Sequence, residues 1–232
     1  MFYYFGSKAR LAPHYPEPQC ACIVEPFAGS AGYSCHHRLP RTILVERDPR
    51  ICDLWRMLMG MTPDEIRAIP CPKVGERSSD MLVMLRAASE HSLTGRYITV
   101  SPRMVSRWRN LVERAADLQP TTRKWTLIEG DYTDAPDIEA TWFIDPPYAN
   151  MSRGYAHKIS DYSALAAWCQ ARRGQVIVCE QQGATWLPFD PLREIVTTNN
   201  TRKMEAWWTR DLLMPSSAER RGDEGRERTG VD

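Results

Sequence analysis

The sequence predicts an α/β protein: a doubly wound, mostly parallel sheet, interrupted by a helical insertion and finished by an antiparallel hairpin. Three observations carry this. Short apolar runs alternate with helical patterns toward both ends of the chain. Four of those runs stop at an acid or a glycine turn. The alternation lapses once, between residues 61 and 124, where the pattern is largely helical. Strand, helix, strand, helix in succession argues for parallel strands joined by right-handed crossovers.

The elements follow in order. In CIVEPFAGSAGYSCHHRL, Cys22 to Val24 reads as a strand, Gly29 to Gly32 as a small-residue turn, and a helix follows through Cys35. RTILVERDPR supplies a second strand ending at Glu46, and PRICDLWRML the helix behind it. TPDEIRAI, SDMLVMLRAASEH and SPRMVSRWRNLVERAADL are then candidate helices. Thr62-Pro63 and Ser101-Pro102 each read as an N-cap followed by proline at the first helical position. No strand of the sheet is expected there. The chain therefore divides into an α/β domain of residues 1–60 and 125–214 and a helical insertion of residues 61–124. The alternation resumes at KWTLIEGDYTD and ATWFIDPPY, continues through the helix DYSALAAWCQARR, and reaches the strand QVIVCE. LREIVTT and KMEAWWT, separated by Asn199-Asn200, read as an antiparallel hairpin at the far edge. Residues 215–232 are charged and almost free of apolar side chains, so disorder is expected.

Composition bounds the function. The chain has 232 residues, 43% hydrophobic and 25% charged, ordinary values for a soluble globular domain. A net charge of +1 confines any nucleic-acid surface to a local patch. Seven cysteines without a regular framework fit reduced thiols in a cytoplasm. The opening MFYYFGSKAR lacks an apolar signal core, and no apolar run approaches the roughly 18 residues of a membrane span. Cys20, Cys22, Cys35, His36 and His37 have no second CxxC or spaced histidine pair beside them, so structural thiols are expected rather than a metal site.

The strand ends hold the chemistry. Glu25-Pro26-Phe27, Glu46, Glu129-Gly130-Asp131 and Asp145-Pro146-Pro147-Tyr148 should converge, because ligands of open parallel sheets bind beyond the carboxyl ends of the strands. FAGSAG places glycines where backbone must approach a ligand, in a spacing that differs from the dinucleotide GxGxxG. Glu46 stands where a carboxylate would hold ribose hydroxyls. The DPPY turn is sharper. Two prolines end the strand and hold the Pro146 carbonyl in a fixed direction. An exocyclic amino group on adenine or cytosine is a poor nucleophile because its lone pair is delocalised into the ring. Asp145 and the Pro146 carbonyl, accepting its two N–H protons, would draw the nitrogen toward tetrahedral geometry, and Tyr148 would offer a face for the base to stack on.

YFGSKARL, EPFAGSAG and DPPY, in that order with a helical stretch before the last, resemble the Dam-type family of DNA adenine-N6 methyltransferases, and most closely its small phage and prophage members. The similarity runs from Tyr3 to about Trp208. It implies a Rossmann-like methyltransferase fold and S-adenosylmethionine as methyl donor. Tyr4, Gly6 and Lys8 match the family's segment beside the cofactor, although many members carry two glycines where this chain has Gly6-Ser7. Glu25, Pro26, Phe27, Gly29 and Ser30 match the turn that cradles it. Glu46 stands at the family's ribose position, Asp131 with Tyr132 near the adenine, and Asp145 at the catalytic acid, close to the methionine end. ISDYSALA resembles a segment usually reading Asp-His, with Tyr162 in place of the histidine.

Seven basic residues stand against two acids between Arg96 and Lys124. Arg103, Arg107 and Arg114 share one helical face, and with Arg109 of the same helix they are the expected contacts to DNA phosphates. The expected activity is transfer of a methyl group to N6 of adenine in double-stranded DNA, site-specific or loosely specific. The expected setting is a monomer or weak dimer in the cytoplasm of a bacterial or phage-infected cell. N4-cytosine or RNA-base methylation shares the same turn chemistry, and a silent DNA-binding homologue is a reading of a different class.

Overall fold

The computed structural model describes residues 7–78, 98–149, 158–196 and 202–211. The expected helix SDMLVMLRAASEH, the Asn199-Asn200 turn and the charged 215–232 segment lie outside these residues. Two short 3-10 turns, Lys8–Arg10 and Ala12–His14, precede β1 (Ile23–Glu25). Then come α1 (Gly32–His37), β2 (Thr42–Glu46), α2 (Pro49–Gly60) and α3 (Pro63–Arg67). Next are β3 (Arg77–Ser78), β4 (Ile98–Thr99), α4 (Pro102–Thr122), β5 (Thr126–Glu129) and β6 (Glu139–Ile144). Last come α5 (Tyr162–Gln170), β7 (Arg173–Gln181), β8 (Asp190–Val196) and β9 (Arg202–Arg210).

Local chemistry sets the helix starts. The Thr62 and Ser101 hydroxyls accept from the N–H groups of Glu65 and Met104, each with proline next in the chain, as the sequence predicts. Asp48 caps α2 and Asp161 caps α5 in the same way.

Seven strands form one sheet in the order β5-β2-β1-β6-β7-β9-β8. The first five are mutually parallel, and β9 runs antiparallel to both its neighbours. The chain winds outward from β1 to β2 and β5, then returns to lay β6 on the other side of β1. The sheet's switch point therefore falls between β1 and β6, an arrangement compatible with Rossmann-like α/β folds. The hairpin is present, with its second strand inside and its first at the edge. β9 carries buried Glu205 and Ala206 on its inner run. β8 holds Pro191 and a register break between Pro191 and Arg193, features suited to an edge that must not recruit further strands.

The stretch 61–124 adds no strand to the main sheet; β3 and β4 pair antiparallel as a separate two-stranded piece. Helix α4 packs on the sheet. Its Met104, Trp108, Leu111, Val112, Ala115, Ala116 and Leu118 join one apolar cluster with Leu44 of β2 and with Leu54, Trp55 and Leu58 of α2. The buried Gln119 amide donates to the Met61 carbonyl at 2.5 Å, closing the end of α2.

Strand β6 supplies both faces of the core. Trp142 packs toward Trp168 of α5, and Phe143 stacks on Tyr33 of α1 with ring centres 4.2 Å apart. Burying one such ring contributes roughly 1.5–3 kcal/mol. Together they anchor the strand that ends at Asp145. Opposite, the N-terminal segment lies so close to α1 that a Cβ on Gly32 would sit 2.6 Å from the Ala9 nitrogen and 2.9 Å from the Lys8 carbonyl carbon. Gly32→Ala is therefore expected to cost about 1–3 kcal/mol through overpacking, read as a lower urea midpoint at unchanged slope.

Candidate functional site

The four predicted turns meet. A cleft of about 660 Å³, part of it continuous with open solvent, is lined by Pro26, Phe27 and Gly29 after β1 and by Glu46, Arg47 and Asp48 after β2. Gly130, Asp131 and Tyr132 after β5, Asp145 and Pro147 after β6, and Lys158 with Ile159 complete it.

Glu46 joins the first turn to the second. Its Oε2 accepts the Gly29 N–H at 2.8 Å and its Oε1 accepts the Asp48 N–H at 2.8 Å. Burial raises this carboxyl above its usual range, partly offset by those amides. Gly29 takes a left-handed conformation, φ 47°, and its carbonyl accepts the Trp55 indole N–H at 2.8 Å. The cradle is thus locked from both sides. Phe27 and Tyr132 stack across it with centres 5.3 Å apart. Asp131 lies at the rim, 3.3 Å from Arg47.

Three expected cofactor residues line no part of this cleft. Glu25 is buried beneath it and accepts the Ser34 N–H at 2.7 Å, inside the first turn of α1. Burial lifts its carboxyl to about 7. Ser30 is buried and donates to the Ser7 hydroxyl at 2.8 Å. Lys8 is buried on Asp145 rather than on the cleft wall. Tyr4 and Gly6 lie outside the described residues.

Asp145 is the centre of the site. Its Oδ1 lies 2.6 Å from the Lys8 ammonium, and its side chain is 19% exposed. Burial raises its carboxyl to about 6; Lys8 pulls against that rise, and Glu205 and Glu180 add to it. The Tyr162 hydroxyl donates to the Pro147 carbonyl and braces the turn. Pro146 is buried within it. Tyr148 differs from expectation. Its ring is 8% exposed, the Lys8 ammonium lies 4.8 Å from its centre, and its hydroxyl donates to Glu205. Lys8 thus takes ring area that sequence reasoning assigned to a base.

Two acids escaped the sequence reading. Glu205, on β9, is 3% exposed and accepts hydroxyls from Tyr15 at 3.0 Å and from Tyr148. Glu180, at the end of β7, accepts the Ala149 N–H at 3.2 Å and the Trp186 indole N–H at 2.8 Å. The available signal was a single acid set in each of the apolar runs VIVCE and MEAWW. Arg103, Arg107, Arg109 and Arg114 are exposed on α4 and are not brought to the cleft.

The sequence matches no known family model and no curated protein at a significant level. Among the described residues, no helix is long and apolar enough to cross a membrane. Among them also, no group of three or more His, Cys, Asp or Glu is placed to hold a metal ion.

Burial raises the carboxyls of Glu25, Glu46, Asp145 and Glu180 together. Each binds its proton more tightly folded than unfolded. The stability from this source is present at acid pH and is lost as pH rises through about 6 for Asp145 and about 7 for Glu25. His37, lowered by burial, opposes the trend on the acid side. Thermal unfolding is expected at a higher midpoint near about pH 5.5 than near about pH 8, and Glu25→Gln should flatten the difference. A midpoint that rises steadily toward alkaline pH would contradict this.

Proposed function

We propose that the protein transfers a methyl group from S-adenosylmethionine to the N6 amino group of adenine in DNA. The observation that carries this reading is Asp145. It is an acid at the end of the central strand β6, followed by two prolines, held on one oxygen by Lys8, and facing the cleft built by the other strand ends.

The cleft suits such a donor. Glu46, Asp48, Asp131 and Asp145 line it together with Arg47 and Lys158, while Lys8 pairs with Asp145 and Arg50 with Asp48. Glu46 presents its carboxylate on the cleft wall for ribose hydroxyls, and Phe27 with Tyr132 offers aromatic surface beside Asp131. When bound, S-adenosylmethionine supplies a methyl group on a cationic sulfur, and its carbon–sulfur bond breaks as the carbon–nitrogen bond forms.

The chain's own residues prepare the acceptor. Asp145 accepts one amino N–H, in competition with Lys8, and the Pro146 carbonyl accepts the other. The nitrogen's lone pair is then withdrawn from the ring. After transfer the nitrogen sheds one proton through Asp145 to water. A carboxyl near 6 is matched to that passage at neutral pH. Fixed positioning of this kind supplies up to roughly 7–11 kcal/mol of a barrier. The adenine must leave the stack, at a cost of a few kcal/mol.

Helix α4 supports a nucleic-acid partner. Its exposed Arg103, Arg107, Arg109 and Arg114 outnumber its acids Glu113 and Asp117, which lie 3.0 and 3.4 Å from Arg67 of α3. Replacing Arg103, Arg107 and Arg114 together with serine is expected to reduce the slope of log affinity against log salt by about 0.9 for each phosphate that is no longer neutralised. A DNA-binding isotherm at several salt concentrations reads it.

The direct test is nucleoside mass spectrometry on DNA from cells that lack adenine and cytosine methylation and express the protein, beside Asp145→Ala. N6-methyladenine present only with the intact acid is expected. N4-methylcytosine would move the reading to the other base, and neither mark from a folded, cofactor-binding protein would overturn it. The rate of transfer should fall as pH drops through about 6, where Asp145 gains its proton.

A further inference from the structure

Beneath the cleft, Glu205 has no part in the chemistry described so far, yet it is built into the site with unusual care. It projects from β9, two strands away from β6, into a pocket closed by the N-terminal segment. Its Oε1 accepts the hydroxyls of both Tyr15 and Tyr148. The same oxygen lies 3.6 Å from the Lys8 ammonium, which is itself only 5% exposed. Lys8 thus stands between two carboxylates, close on Asp145 at 2.6 Å and one step away from Glu205.

The arrangement addresses a conflict in the proposed reaction, on which this inference rests. Asp145 must accept the incoming amino group, but Lys8 competes for the same carboxylate. Withdrawing a buried ammonium from its partner is prohibitive unless another anion receives it. We propose that Glu205 is a positioning residue that gives Lys8 this second seat, so that the ammonium shifts from Asp145 Oδ1 toward Glu205 Oε1 when the target amino group arrives. The two tyrosine hydroxyls hold Glu205 in place and temper its pull. Without them Lys8 would be drawn off Asp145 before the substrate is bound; without Glu205 it would not leave.

The groups that face Asp145 set what a titration reads. They are Lys8 from the N-terminal segment, Glu25 from β1, Cys179 and Glu180 from β7, Glu205 from β9, and the Tyr15 and Tyr148 hydroxyls. Only two are altered in the test. Transfer of labelled methyl from S-adenosylmethionine to unmethylated plasmid DNA is followed against pH for the wild type, Glu205→Gln and Tyr15→Phe, beside cofactor affinity.

Glu205→Gln keeps an acceptor for the hydroxyls but removes the charge. Its kcat is expected to fall on the order of 100-fold, with cofactor affinity unchanged. Its acid limb should move to lower pH, because Lys8 stays on Asp145 and a like charge is gone. Tyr15→Phe leaves the charge and removes one donor, so Lys8 is drawn toward Glu205 and the limb should move to higher pH. A residue that only fills space would change the melting temperature and neither limb. Acid limbs that stay fixed in an active wild type and both variants would overturn the role of Glu205 alone. If Glu205→Gln does not fold, the Tyr15→Phe limb decides. A wild type that methylates no DNA would instead overturn the proposed function, and this inference with it.

Discussion

The contact between Lys8 and Asp145 joins two parts of the chain 137 positions apart and determines the character of the site. Asp145 ends the central strand, where burial raises its carboxyl. The Lys8 ammonium opposes that shift and lets the acid hold its charge near neutrality. The pair also pins the N-terminal segment across the top of the sheet. Ser7 meets Ser30 of the β1 turn, and Gly32 allows the segment's backbone to lie against α1. Turn, helix and acid are placed by one seam.

The other carboxylates at this edge of the sheet act by the same physics in a different role. Glu46 takes backbone N–H groups from two neighbouring turns, Glu25 takes one from α1, and Glu180 takes one from the residue after Tyr148. Each replaces lost hydration with oriented donors, which is how buried carboxylates are tolerated. The result is a set of loops held to the sheet by side-chain acids. A cleft with stiff walls is a by-product of that construction.

Much of this architecture was legible beforehand, and the reasons are local. Thr62-Pro63 and Ser101-Pro102 start helices because the capping hydroxyl and the ring's fixed φ act within one turn. Strand ends at Glu25, Glu46 and Ile144 follow from apolar runs that stop abruptly at charge or proline. Other features were hidden because they depend on distant surfaces. An amphipathic pattern announces that α4 has a buried face, but not that Leu44 and Trp55 cover it. Two strands of a hairpin look alike in sequence; which one joins β7 depends on which can bury Glu205 and Ala206 and which tolerates Pro191 at an edge. The residues 77–78 and 98–99 are too short a pairing to stand out from their surroundings.

The sequence by itself determined the alternation of strands and helices, the acids at the strand ends and the stiff DPPY turn, since each rests on propensities and sterics spanning only a few residues. Tertiary structure alone decided what those acids meet. It put Lys8 on Asp145, turned Tyr148 inward to Glu205, sank Glu25 beneath the cleft and left Glu46 on its wall. Partners of that kind are selected by the exclusion of water, because a buried charge must find a counter-charge or a donor within a few ångströms. Distance in space, rather than order along the chain, determines which one it finds.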